Sequence, residues 1–277
     1  MEFPLVTVGV ALYNHQDYIV ECLKSIVTQN YSNIELIVVD DGSKDNSYNV
    51  AKSYLEEQSF LDNYSIVTRP NKGMCETLNE IAHKAKGKYI SFIGSDDFWM
   101  QDKISEQVEF LENNEDCTLV HSNSLKVDAQ GKVLKPIDYS DKINSGSVYE
   151  ALINRTGGIN TPSHLYRTSI YEEVGYYDPN FRFEDTDFWL RLSRNHKVGF
   201  INKAHTYYRW HGDNLSDNKN ALSFYYDELI RIYNKNIPEP DLKRIAIKKI
   251  YRKCAQKSLK AGRIVDTIKY LIKYFSR

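Results

Sequence analysis

Cysteine is scarce: four in 277 residues, at positions 22, 75, 117 and 254, with no CxxC pair among them. That spacing argues against a zinc site and a dense disulfide framework. No apolar run approaches the roughly 20 residues a membrane span needs, and no signal-peptide core follows Met1. A cytoplasmic, soluble protein is therefore the expectation. The GxxxxGK[ST] loop and the GxGxxG fingerprint are both missing. Internal repeats and low-complexity stretches are missing too.

The composition is otherwise that of a globular chain, 42% hydrophobic and 26% charged. Tyrosine is abundant, with 21 copies. Its apolar body and polar tip suit stacking on planar or sugar ligands as well as ordinary cores. The whole chain carries a net charge of −1, but residues 241–277 hold twelve Lys/Arg against two Asp/Glu, a net +10 that leaves the first 240 residues at −11. The tail is a separate electrostatic object.

The first 125 residues alternate between two patterns. Val6–Leu12, Ile34–Val39, Tyr64–Thr68 and Lys88–Ile93 are short apolar runs of strand length. Between them, apolar residues recur at helical spacing: Ile19, Leu23, Ile26 and Val27 (with Asp17 placed to cap), then Val50, Ala51, Tyr54 and Leu55, then Met74, Leu78, Ile81, Ala82 and Ala85. This alternation predicts a parallel sheet covered on both faces, whose ligands bind beyond the carboxyl ends of the strands. The residues after those ends are Tyr13-Asn14, Asp40-Asp41-Gly42-Ser43, Arg69-Pro70-Asn71 and Gly94-Ser95-Asp96-Asp97. A lone Asp-Asp reads as a turn. Two such pairs on one rim read as a site. With no His or Cys nearby, they suit a hard divalent cation with oxygen ligands, magnesium or manganese, shared with a phosphate.

Two further clusters stand out. Glu184, Asp185 and Asp187 precede an amphipathic pattern, where acids also serve simply to oppose the helix dipole. The run Tyr207-Tyr208-Arg209-Trp210-His211, with Asn214 and Ser216 behind it, suits a diphosphate or a base, and equally an edge strand. From about Asp128 to Thr161 glycines and prolines break the pattern, as in a connection or substrate-binding segment. Beyond Ala221 it is helical, broken at Pro238 and Pro240.

Four stretches together, "VGVALYNHQDYIVECLKSIVTQNYSNIELIVVDDGSKDNS", "NKGMCETLNEIAHKAKGKYISFIGSDDFW", "FEDTDFWLRLSR" and "YYRWHGDNLS", resemble the family 2 glycosyltransferases. These are inverting sugar transferases, and the likeness is to the type serving bacterial cell-surface polysaccharides or glycoproteins. It covers about residues 5–216. It implies an α/β, GT-A fold, with a Rossmann-like, mostly parallel central sheet flanked by helices, followed here by a C-terminal helical extension. The expected division is a catalytic domain over 1–220, with a nucleotide-binding half to about 125 and an acceptor-binding half over 126–220, then the basic extension 221–277.

By matching position, the resemblance implies that Ala11, Tyr13, Asn14 and Asn71 line the nucleotide pocket and that Asp40 hydrogen-bonds the base. Asp96 would contact the ribose or metal, and Asp97 would ligate Mn2+ or Mg2+. Arg209 and His211 would face the diphosphate. Asp185 would be the general base beside Glu184, with Asp187 as the second choice. Two departures are visible: Gly94 stands where many members carry a further aspartate, and Leu78 precedes Asn79 where an arginine is usual. The implied partners are a nucleotide-diphosphate sugar, UDP-sugar favoured, and a hydroxyl of a glycan, lipid-linked or protein-linked acceptor. Nucleic acid does not fit an acidic rim.

Two alternatives belong beside this reading. The shortened acidic motif suits a non-catalytic nucleotide-sugar-binding partner subunit. A sugar nucleotidyltransferase would share the sheet and the acids, although the first strand opens as "GVALYN" and not on a Gly-rich loop. For the tail, one reading is a helical pair packed on the catalytic domain or in a homo-oligomer. The sharper one is peripheral contact with the inner face of the cell membrane, made by Ile264, Val265, Ile268, Leu271 and Ile272 among the cations.

Overall fold

The computed structural model describes residues 3–58, 63–212 and 222–276. Strands Val6–Leu12 (β1), Ile34–Asp40 (β2), Tyr64–Thr68 (β3) and Tyr89–Gly94 (β4) lie parallel, in the order β3-β2-β1-β4. All seven residues of β1 and of β2 are buried, which explains why those runs are continuously apolar. Side chains alternate between two cores. Val6, Val8, Val10 and Leu12 face the helices Ile19–Val27 (α1), Ser47–Glu56 (α2) and Lys103–Asn113 (α4). Ala11, Ile37 and Val39 face Met74–Lys84 (α3) and Glu184–Ser193 (α7) on the other side.

The sheet does not stop at residue 125. Phe98–Trp99 (β5), Cys117–Val127 (β6), Val133–Ile137 (β7), Leu165–Arg167 (β8) and Lys197–Arg209 (β9) extend it through β4-β8-β6-β9-β5, with β7 paired to β6. β8 is antiparallel to both β4 and β6, so the parallel half ends there. The boundary expected near residue 125 thus falls inside β6. The run ending in Tyr207-Tyr208-Arg209 is no edge strand, because β9 pairs with β6 on one side and β5 on the other. Residues 213–221, including Asn214 and Ser216, lie outside the described residues.

Asp17 does not cap α1. The helix begins after Tyr18 with no side-chain cap, and the backbone carbonyl of His15 accepts from the amides of Tyr18 and Ile19, each at 3.0 Å. The predicted tail helices are present as Leu222–Asn236 (α8), Pro240–Lys260 (α9) and Ile264–Phe275 (α10). They form a third core with Ile153 of helix Tyr149–Asn154 (α5), Phe181, and Leu190 of α7. Among the described residues, no helix is long and apolar enough to cross a membrane.

Asp187 joins α7 to this extension. Its carboxylate is fully buried and accepts from Arg191 Nε at 2.9 Å, Lys235 Nζ at 2.8 Å and Asn236 Nδ2 at 2.8 Å. Asp187→Ala would leave Arg191 and Asn236 facing an apolar gap. A loss of about 3 kcal/mol is expected, the lower end of what a broken buried ion pair costs. Denaturant unfolding checks it, and an unchanged midpoint would show the linkage to be idle.

Candidate active site

Strand register levels the rim. Leu12 pairs with Asp40, Asp40 with Thr68, and Ala11 with Gly94, so the loops after β1 to β4 leave the sheet side by side. Beside them opens a cavity of about 560 Å³, within the range of roughly 300–1,000 Å³ typical of small-molecule sites. The rim contributes Ala11, Tyr13, His15, Asp96, Asp97 and His211 to its wall; α7 contributes Glu184, Asp185 and Trp189. Two acidic clusters nearly 90 residues apart in sequence thus border one space.

The sequence places no His or Cys near the rim acids, but the fold brings two histidines to Asp96. One ring nitrogen each of His15 and His211 and an Asp96 carboxylate oxygen lie within 4.8 Å of one another. His211 Nε2 is 3.0 Å from Asp96 Oδ2, and His15 Nδ1 is 3.9 Å from Asp96 Oδ1 and 2.8 Å from Ser95 Oγ. Burial is the largest influence on His15 and lowers its pKa, against the pull of Asp96; neighbouring His211 lowers it further. A neutral imidazole keeps a lone pair for a cation. Two ring nitrogens and a carboxylate form a mixed donor set, which fits manganese better than the all-oxygen shell that magnesium prefers.

Asp97 is placed differently. It is 4% exposed, and its Oδ1 accepts from the Arg209 amide at 2.8 Å. Burial first, and the adjacent Asp96 second, push its carboxyl well above the usual carboxylate range. Arg209 supports this pair from behind. Its Nε donates to the Asp96 carbonyl at 2.7 Å, and its guanidinium reaches Glu21 and the Ala129 carbonyl. Arg209 is 1% exposed and is not part of the cavity wall, so the guanidinium expected at a diphosphate is turned into the fold.

Gly94 gives Asp96 its position. A Cβ at residue 94 would fall 2.7 Å from Asp96 Oδ1. The absent side chain is the space that Asp96 uses to meet the two histidines.

At α7, Asp185 Oδ2 accepts from Thr161 Oγ1 at 2.9 Å, while its Oδ1 accepts from the Thr186 amide at 2.6 Å. Thr161 belongs to a single 3-10 turn, Thr161–Ser163, and also lines the cavity. Desolvation, then the Asp185 charge, push Glu184 up to about 8. A carboxyl raised this far favours its protonated form at neutral pH. These acids do not precede a helix but form the first turn of α7.

The remaining predicted residues are not in the cavity wall: Asp40 is buried beneath it, and Asn14 and Asn71 are exposed in the rim loops. Asp40 is 1% exposed, and its carboxylate is taken by the Ser43 hydroxyl and by Thr68 Oγ1, the latter at 2.6 Å. Asn14 Oδ1 accepts from the Lys44 amide at 2.8 Å, and Asn71 Nδ2 donates to the Asp41 carbonyl at 2.9 Å. Asp41 is also internal: it pairs with Arg69 and accepts from the amides of Lys72 and Gly73 at 2.8 and 2.9 Å. So of the two Asp-Asp pairs on the rim, only Asp96-Asp97 borders the cavity, and the other ties loops together. His15 and Thr161 were not singled out from sequence. His15 was within reach, two residues past Tyr13 on the same rim.

The Glycosyl transferase family 2 model matches residues 7–175. WfaP of Escherichia coli, a UDP-Glc:alpha-D-GlcNAc-diphosphoundecaprenol beta-1,3-glucosyltransferase, is 30% identical over 254 residues, covering 90% of this chain and 89% of WfaP. An uncharacterized glycosyltransferase of Haemophilus influenzae is 33% identical over 144 residues, 52% of this chain and 56% of its own. One of Rickettsia bellii is 28% identical over 212 residues, 76% of this chain but 29% of its own, so these two are matched over less than two thirds of their length. Among solved structures, TarS 1-349 of S. aureus in complex with UDP-GlcNAc superposes with a TM-score of 0.72 at 19% identity, covering 98% of this chain and 80% of that one. The mannosyltransferase PcManGT of Pyrobaculum calidifontis, in complex with GDP-Man and Mn2+, gives 0.62 at 15% identity, covering 98% and 87%. At these identities the structural likeness is one of fold. The chain, by its motifs, its GT-A sheet and its match over residues 7–175, belongs to glycosyl transferase family 2.

Proposed function

We propose that the protein is an inverting, metal-dependent glycosyltransferase that moves a sugar from a nucleotide-diphosphate sugar to an acceptor hydroxyl. The observation that carries this is the single cavity bordered by both the His15–Asp96–His211 cluster and the Glu184–Asp185 pair. A UDP-sugar is the favoured donor and a lipid-diphosphate-linked glycan the favoured acceptor, by similarity to WfaP along most of both chains.

In this reading Ala11 and Tyr13 wall the base pocket, while Asp40, Asn14 and Asn71 hold its loops in shape. Asp96, His15 and His211 would hold a divalent cation, with Asp97 beside them, and the cation would offset the charge that builds on the leaving diphosphate. Arg209 positions Asp96 and Asp97 from beneath. Asp185, oriented by Thr161, takes the acceptor proton as the hydroxyl attacks the anomeric carbon. Attack on the face opposite the leaving group inverts that centre. The direct test is release of nucleoside diphosphate from a panel of nucleotide sugars, with Mn2+ and with EDTA. Cation-dependent turnover of one donor is expected; no turnover of any donor would remove the proposal.

The neutral Glu184 makes a separate prediction. As pH rises through about 8 its carboxyl ionises and adds a second charge beside Asp185. A more anionic cavity disfavours a diphosphate donor, so kcat/KM is expected to fall above that pH. Glu184→Gln fixes the neutral form, and it should keep most of the rate at pH 7 and lose the alkaline fall. A profile unchanged by the substitution would assign that limb to another group.

A further inference from the structure

Helix α10 has two apolar faces. Thr267 and Tyr270 are buried, Tyr274 is half-buried, and Tyr270 and Tyr274 pack with the core of α8 and α9. The opposite face is left to solvent: Ile264 is 66% exposed, Val265 81%, Ile268 53%, Ile272 63% and Phe275 77%. At 100° per residue these positions fall on one stripe along the helix. Leu271 and Leu259 continue it into the shallow groove between α9 and α10, where Arg252 stands beside them. An exposed apolar stripe of this length on a soluble domain marks an interaction surface.

Charge identifies the occupant. Arg263 precedes the helix, Lys269 and Lys273 lie along it, and exposed Arg252, Lys253, Lys257 and Lys260 line α9. Positive charge is crowded enough that Arg155 foremost, then burial and Lys257, lower the Lys253 pKa. A second copy of the chain would bring two segments of net +10 together, which opposes self-association through this face. We propose that α10 lies in the interface of an anionic lipid bilayer, its apolar stripe among the acyl chains and the cations of α9 and α10 at the headgroups. Apolar burial and roughly 1 kcal/mol per cation near an anionic surface act together there. The net charge of −11 on the rest of the chain orients it away from the same surface. Through α8, the docked helices hold α7 and its acid pair, so the acceptor side of the cavity is tied to the bilayer-facing extension. The inference does not depend on the proposed reaction, because binding is read without turnover.

The test is co-sedimentation of the full chain with vesicles of phosphatidylcholine containing a quarter phosphatidylglycerol, against pure phosphatidylcholine. Binding to the anionic vesicles alone is expected, weakening at high ionic strength. Ile268→Glu with Ile272→Glu should lower binding at least tenfold and leave the thermal midpoint unchanged, since both residues are exposed. Lys269→Glu with Arg252→Glu should weaken binding with the stripe intact. Three outcomes overturn the proposal: no vesicle binding, binding indifferent to the double glutamate variant, or a solution dimer that the same variant disperses.

Discussion

Asp185→Asn is expected to lower kcat by about 10²- to 10⁴-fold, the contribution of a positioned general base. The asparagine keeps the size: its Oδ1 still accepts from the Thr186 amide, and its Nδ2 can donate to Thr161 Oγ1, where the native carboxylate accepts. What it loses is the ability to take a proton. Donor affinity should therefore stay near wild type, because Asp185 lies on α7 and not on the nucleotide rim. This split between kcat and binding is what separates a base from a structural residue. Asp187 is the control, since it sits two residues away in the same helix turn, buried against Lys235 and Asn236. Its substitution should cost stability first. A variant at Asp185 with a wild-type rate would return the base to an unassigned group.

Asp96→Asn is expected to weaken Mn2+ binding at least a hundredfold and to lower transfer to a similar extent. Asp96 is the one carboxylate of the three-residue cluster, and an imidazole that ligates a cation brings no negative charge to it. Removing it leaves a divalent ion with nitrogen donors and no charge compensation beside a diphosphate. Calorimetry with Mn2+ alone reads the loss independently of catalysis. Unaltered affinity would move the cation to Asp97, which borders the same cavity.

The sheet was legible because its strands are continuous apolar runs separated by amphipathic helices, and the sheet's two faces require that pattern. Its rim was legible because acids cluster where strands end. What each rim acid does was not. Asp40-Asp41 and Asp96-Asp97 look alike in sequence, yet Asp41 is committed to Arg69 and two amides while Asp96 meets two imidazoles. That difference is tertiary: His211 arrives from the end of β9, which runs beside β5 and brings Arg209 against Asp97. No local spacing carries such a contact. The same holds for Arg209, whose sequence neighbours suggest a phosphate ligand and whose burial makes it a prop. Asp187 was readable in principle, because a residue two positions from Asp185 on a helix points elsewhere.

The assignment of Asp185 as base in a single displacement is tested most directly by the stereochemistry of turnover. Proton NMR of the first product formed from an accepted donor, turned over with Mn2+ that is then removed by chelation before the spectrum is taken, reads the anomeric configuration from the coupling of its anomeric proton. A product of configuration opposite to the donor is predicted, with no signal above background for Asp185→Asn. A first product that retains the donor configuration would require two displacements and a covalent step, and would contradict the role given to Asp185.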